Sequence, residues 1–153
     1  MKFALTFVVF LILNFGALCI GTFLMNNGPD SSWYTALKQA PWTPPGWVFG
    51  AAWTCVMVFF SVYMTFLYQN LKSQKVYLLY GVQFLLNISW NFIFFNQYQT
   101  VLGLLNIVAL LGLMLYFLIG FKSQLKNYRF FVLPYIIWLI LAGSLNCYIV
   151  IFN

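Results

Sequence analysis

Residues 76–121 read VYLLYGVQFLLNISWNFIFFNQYQTVLGLLNIVALLGLMLYFLIGF, 46 consecutive positions without one charged side chain. A helix rises 1.5 Å per residue, and about 20 apolar residues cross the roughly 30 Å of hydrocarbon in a bilayer. A run of this length therefore holds two crossings, and the polar stretch Asn96-Gln97-Tyr98-Gln99-Thr100 marks the turn between them. Outward from it, charge-free windows of 27 residues before Asp30, 33 between Lys38 and Lys72, and 24 after Arg129 each accommodate one more crossing. The expected spans lie at about 3–25, 46–70, 77–97, 100–121 and 131–152, with a structured outer loop at 26–45, in one membrane domain. The windows lack the alternation of membrane barrels, so they predict helices. The expected fold is an all-α integral membrane protein, a five-transmembrane-helix bundle.

Composition agrees, because 64% hydrophobic against 5% charged residues is outside the range of soluble domains. The basic residues sort by side: Lys2, Lys72, Lys75, Lys122, Lys126 and Arg129 fall at one face of the membrane, Lys38 alone at the other. The positive-inside rule then predicts a multi-pass protein with its N-terminus cytoplasmic and its C-terminus outside. The net charge of +6 reads as a topology signal plus attraction to anionic headgroups of the lipid bilayer, and calls for no nucleic acid partner. The run after Lys2 also resembles a secretory signal, but it is long for one and Leu18 before Cys19 fits a lipobox poorly; an uncleaved first span is expected.

Missing residue types narrow the chemistry. The chain has no histidine, and Asp30 is its one acidic side chain. Zinc sites of the usual kinds, histidine-dependent triads and paired-carboxylate catalysis are removed, and so is the intramembrane carboxylate or histidine of an ion-coupled carrier. No metal site is expected, and no cofactor is required.

Between the first two spans, Asp30, Ser31 or Ser32 can cap a short helix through Lys38. Pro41-Trp42-Thr43-Pro44-Pro45-Gly46 must be extended or turn-like, and the second span can begin at Pro45 or Gly46. Trp33, Trp42 and Trp47 suit an interfacial aromatic belt, or for one of them a lid over a pocket. Trp53, seven residues inside the span, lies about 10 Å into the bilayer and suits a cavity wall. In the third span Gln83, Asn87, Trp90 and Phe94 recur at helical spacing with Asn91 beside them, so this stripe faces the interior, either joining helices or meeting a ligand. Asn14 and Asn106 suit the joining role. The fifth span puts a kink-prone Pro134, the flat Trp138, the small Ala142 and Asn146 on one face, an arrangement that leaves a slot. By rise, Trp53, Asn87 and Ala142 fall within roughly 5 Å of one depth. The expected cavity opens outward beneath the proline-rich loop.

Trp33-Tyr34, Trp42-Thr43-Pro44-Pro45-Gly46 and Trp53, then Gln83, Leu86-Asn87, Trp90 and Phe94-Phe95, then Pro134-Tyr135, Trp138, Ala142 and Leu145-Asn146 together resemble the tryptophan-rich sensory protein/translocator protein (TspO/MBR) family. The resemblance implies a five-helix bundle, often a homodimer, acting as a membrane receptor or carrier. Its implied ligands are tetrapyrroles, protoporphyrin-type porphyrins or haem, bound in an outward-opening intramembrane pocket and linked to porphyrin handling or stress sensing; sterol and isoquinoline-type ligands occur in some relatives. With no histidine here, a haem iron would lack that axial ligand. Positions that resemble the family's pocket are Tyr34, Pro44, Trp53, Asn87, Trp90, Trp138 and Ala142, to which the inward faces add Gln83 and Asn146 and the loop adds Trp42. The resemblance also implies an alternative, a light- and oxygen-dependent porphyrin-degrading enzyme in which Trp53 and Trp138 are the catalytic pair. A structural or regulatory bundle without ligand is the third reading.

The chain departs from the family in several places. Gln39 and Ala40 stand where the family has lysine and proline, Asn106 where it has an acidic residue, and Tyr148 is followed by Ile-Val-Ile-Phe-Asn, with no basic residue to complete the sterol pattern.

Overall fold

Lipid cannot hydrogen-bond an exposed peptide group, so a chain this apolar must satisfy its backbone within each crossing segment. The computed structural model describes residues 2–153, and among them there is no strand. Helix α1 runs Phe3–Leu24, and the outer loop holds a 3-10 turn, Gly28–Asp30, and the short α2, Ser32–Ala36. Helix α3 runs Gly46–Asn70, and α4, Gln74–Asn91, continues as a π-helical turn, Phe92–Asn96. Helix α5 runs Thr100–Gly120; the short α6, Lys122–Leu125, and a 3-10 stretch, Lys126–Val132, lead to α7, Leu133–Phe152. Five of these segments are long and apolar enough to cross a membrane.

Local chemistry explains the boundaries. Ser31 Oγ accepts the Tyr34 N–H at 3.2 Å to start α2, and Ser73 Oγ accepts the Val76 N–H at 3.3 Å to start α4. Pro45 immediately precedes α3, so its missing donor withdraws nothing from the helix. The kink-prone Pro134 sits in the first turn of α7, where its missing N–H would be free in any case.

The long helices pack as a ring in the order α1, α3, α7, α5, α4, each against its two neighbours. Hydrogen bonds fasten the ring. Asn14 donates to Ser61 Oγ at 2.8 Å and accepts the Tyr80 hydroxyl at 2.8 Å, tying α1 to α3 and α4. Asn106 donates to Ser89 Oγ at 2.8 Å, and the Tyr63 hydroxyl crosses the ring to the Phe117 carbonyl at 2.7 Å. In a bilayer such bonds contribute about 0.6 kcal/mol each, enough to set helix rotation without dominating stability. Gly21 makes room for the Asn91 side chain at the α1–α4 contact: a Cβ there would stand 2.5 Å from Asn91 Nδ2, and the amide would have to shift. The pair Ala17 and Gly21 is thus spent inside the bundle, whereas Gly46 and Gly50 meet nothing within 4 Å.

Candidate ligand site

Where α3, α4 and α7 face one another, an aromatic and polar cluster forms that each helix alone could not make. Trp53 from α3 meets Trp138 from α7 edge to face, with ring centroids 6.3 Å apart at 74°, and Tyr135 at 6.0 Å and 77°. Phe49, one turn before Trp53, stands edge-on to Trp138 at 5.4 Å. Such geometry sets the positive edge of one ring against the negative face of the next.

From α4, Gln83 and Asn87 both donate their side-chain N–H groups to the Tyr135 hydroxyl, Gln83 at 3.0 Å. All three are buried, Tyr135 to 1% exposure. Two atoms stay without partners: Gln83 Oε1 and the Trp138 Nε1–H. Turning the Gln83 amide over would exchange its orphan oxygen for an orphan N–H, so one polar atom of that group remains free in either orientation. A buried polar atom left unpaired costs about 1–3 kcal/mol, which makes a free acceptor and a free donor beside edge-to-face indoles a place for a ligand with polar edges.

A second cluster lies nearer the end of the bundle that bears the 26–45 loop. Trp90 stacks on Phe94 at 5.1 Å and 12°, and donates its indole N–H to Asn146 Oδ1 at 3.4 Å; Asn146 in turn donates to the Thr100 carbonyl at 2.9 Å. Gly103 permits this meeting, since a Cβ there would lie 3.1 Å from both Asn146 Oδ1 and Phe94. The π turn buries the consecutive Phe94 and Phe95, which receive Tyr34 at 6.2 and 5.3 Å. Tyr34 lies outside the spans, and burial pushes its hydroxyl above the ordinary tyrosine pKa, so it stays neutral at physiological pH. Trp90 packs against both clusters and links them.

The loop is strapped over this end of the bundle. Lys38 N–H donates to Asn153 Oδ1 at 2.8 Å, and Asn153 Nδ2 returns a bond to the Lys38 carbonyl at 3.2 Å. Ala40 is buried, and its carbonyl accepts the Thr43 N–H at 2.9 Å, closing a turn without the family's proline. Trp42 donates to Ser144 Oγ at 3.1 Å and stands edge-on to Tyr148 at 5.5 Å. Of the three loop-region tryptophans, Trp33 packs on Tyr98 and Phe94, Trp42 is the latch, and Trp47, 75% exposed, is left to the interface.

The structure therefore brings together Trp53, Trp138, Gln83 and Asn87, with Ala142 packed beside them. Trp90, Asn146 and Tyr34 belong to the second cluster, Trp42 lies over α7, and Pro44 is half-buried in the loop. Asn87 and Asn146 each spend one of their two side-chain N–H donors on a protein acceptor, the Tyr135 hydroxyl and the Thr100 carbonyl. Trp138 is 6% exposed, Trp53, Trp90 and Ala142 are half-buried, and depressions of about 410 and 570 Å³ lie at the far end around Lys72 and Lys75. Tyr135, the hub of the polar cluster, was not singled out from the sequence as a site residue. Its position three residues before Trp138, on the same helical face, was the available signal.

A ring of five membrane-crossing helices with an aromatic and amide cluster between α3, α4 and α7, strapped at one end by a structured loop, defines a polytopic membrane protein. The chain belongs to the TspO/MBR family, whose model matches residues 7–152. It is 29% identical to the tryptophan-rich protein TspO of Chlorobaculum tepidum, covering 85% of this chain and 90% of that one. Protein CrtK of Rhodobacter capsulatus is 29% identical over 75% of this chain and 74% of its own. The translocator protein of Bos taurus is 27% identical over 78% and 74%.

Proposed function

We propose that this protein is a membrane receptor or carrier that binds a planar tetrapyrrole of the protoporphyrin type between Trp53, Trp138 and Ala142. One observation carries the reading: the Trp53–Trp138–Tyr135 cluster offers flat aromatic faces beside an unpaired Trp138 N–H and an unpaired Gln83 Oε1. A porphyrin has a large apolar face, pyrrole N–H groups and propionate carboxylates, so it can stack on the indoles while its polar atoms meet the orphan donor and acceptor. The donor set favours a metal-free ring, because the chain has no histidine for an axial bond and the Tyr135 hydroxyl already accepts two N–H groups. A ring inserted between Trp53 and Trp138 would have to part their 6.3 Å edge-to-face contact.

Titrating the purified protein with protoporphyrin tests the reading. Saturable quenching of tryptophan fluorescence is expected, with affinity at least about tenfold weaker in Ala142→Phe, which fills the slot. Non-saturable quenching that is the same in both proteins would sink it. The 6.3 Å Trp53–Trp138 pair favours a second reading, photo-oxidative breakdown of the porphyrin. In it, excited porphyrin and dioxygen supply the reactive chemistry, and the indoles supply positioning and an oxidisable neighbour. Under light, a new chromophore should form with the protein and disappear in Trp53→Phe. Equal bleaching in protein-free detergent would refute this second reading while leaving the first intact.

A further inference from the structure

Six of the seven cationic side chains lie at helix ends on one face, while the chain's one acidic side chain, Asp30, lies past α1 at the other. No protein carboxylate side chain neutralises this face. Lys72 and Lys75 flank the short turn between α3 and α4, both exposed, yet each ammonium is held by a ring. Lys72 Nζ stands 5.4 Å from the centroid of Tyr68, and Lys75 Nζ stands 5.0 Å from that of Tyr116.

The two depressions open beside these lysines. The first, about 410 Å³, is lined by Phe3, Tyr68, Gln69 and Lys72; the second, about 570 Å³, by Gln74, Lys75, Tyr77 and Leu78. The Tyr68 and Tyr77 rings, 6.1 Å apart, bring the two walls together. Each depression carries the same four kinds of group: an ammonium, a phenol, a carboxamide and an apolar side chain. That set complements a phospholipid headgroup, with the ammonium against the phosphodiester charge, hydroxyl and amide donors for its free oxygens, and the apolar residue along the acyl chain. A zwitterionic headgroup would bring its own cation against the lysine, so the match is to a net-negative lipid.

We propose that these paired depressions are headgroup sites for anionic phospholipid in the leaflet at the basic face. The sites are independent of what the aromatic cluster binds. Native mass spectrometry of the full chain released from mild detergent reads them directly, with phosphatidylglycerol and phosphatidylcholine as probes. Preferential retention of phosphatidylglycerol is expected. Each lysine contributes roughly fivefold, so Lys72→Gln with Lys75→Gln should weaken retention about twenty-five-fold. Lys122→Gln with Lys126→Gln removes the same charge elsewhere on that face and should leave retention as in the unaltered protein. Lys72→Arg with Lys75→Arg should preserve binding and separates loss of the site from misfolding. Equal weakening in both glutamine pairs would assign retention to diffuse charge and overturn the proposal. So would displacement of the lipid by inorganic phosphate, which would mark a free-anion site.

Discussion

One oxygen atom, the Tyr135 hydroxyl, gathers the polar bonding of the candidate site, because Gln83 and Asn87 on α4 both end on it. Tyr135→Phe keeps the ring and its edge contacts to Trp53 and Phe60 while leaving two buried amide donors without an acceptor. We expect a loss of about 1–3 kcal/mol, read as a lower unfolding midpoint in detergent. Adding Gln83→Leu, which removes one stranded amide, should recover part of that loss, since the two residues share one interaction. Strictly additive losses would show that the hydroxyl is not the hub. Trp138 is a different case: its indole is buried but its N–H is unpaired, so Trp138→Phe strands no hydrogen-bond partner, and its cost to folding is the packing of the lost ring alone.

The latch between the outer loop and the end of α7 is two hydrogen bonds on a single side chain, Asn153, with Trp42 to Ser144 as a third point. Asn153→Ala should speed amide exchange across residues 37–44 while leaving α3 and α7 protected; unchanged exchange would mean that Trp42 alone holds the loop. The long helices themselves were legible in the sequence because hydrocarbon thickness imposes one length on each, and charge can be tolerated only between them. Local capping was legible for the same kind of reason, since Ser31 and Pro45 act within their own turns. What escaped depended on neighbours. The π turn at Phe92–Asn96 leaves no mark in hydropathy, yet it turns both Phe94 and Phe95 inward. The role of Pro134 depended on where the 3-10 stretch Lys126–Val132 ended. For the amides, spacing identified the inward face, but their partners came from other helices: Ser61 for Asn14, Tyr135 for Asn87, Thr100 for Asn146.

For the molecule as a whole, the distribution of charge carries the orientation. Lys38 is the one cationic side chain at the face that bears the loop and the end of α7. We infer that this face is external, so a membrane-impermeant amine reagent applied to intact cells should label Lys38 and spare Lys72 and Lys75. The reverse pattern would invert the topology and turn the strapped end of the bundle to the cytoplasm. The ring order has a further consequence for biogenesis. The helix that joins α3 to α5 is α7, which follows the other four long helices in the chain and is made after them. Until it arrives, the nascent chain is an open row of α3, α1, α4 and α5, with Gln83 and Asn87 lacking the Tyr135 hydroxyl. A chain cut short before α7 therefore presents unpaired amides to lipid, which is the feature a membrane quality-control protease would need to tell an unfinished copy from a finished one.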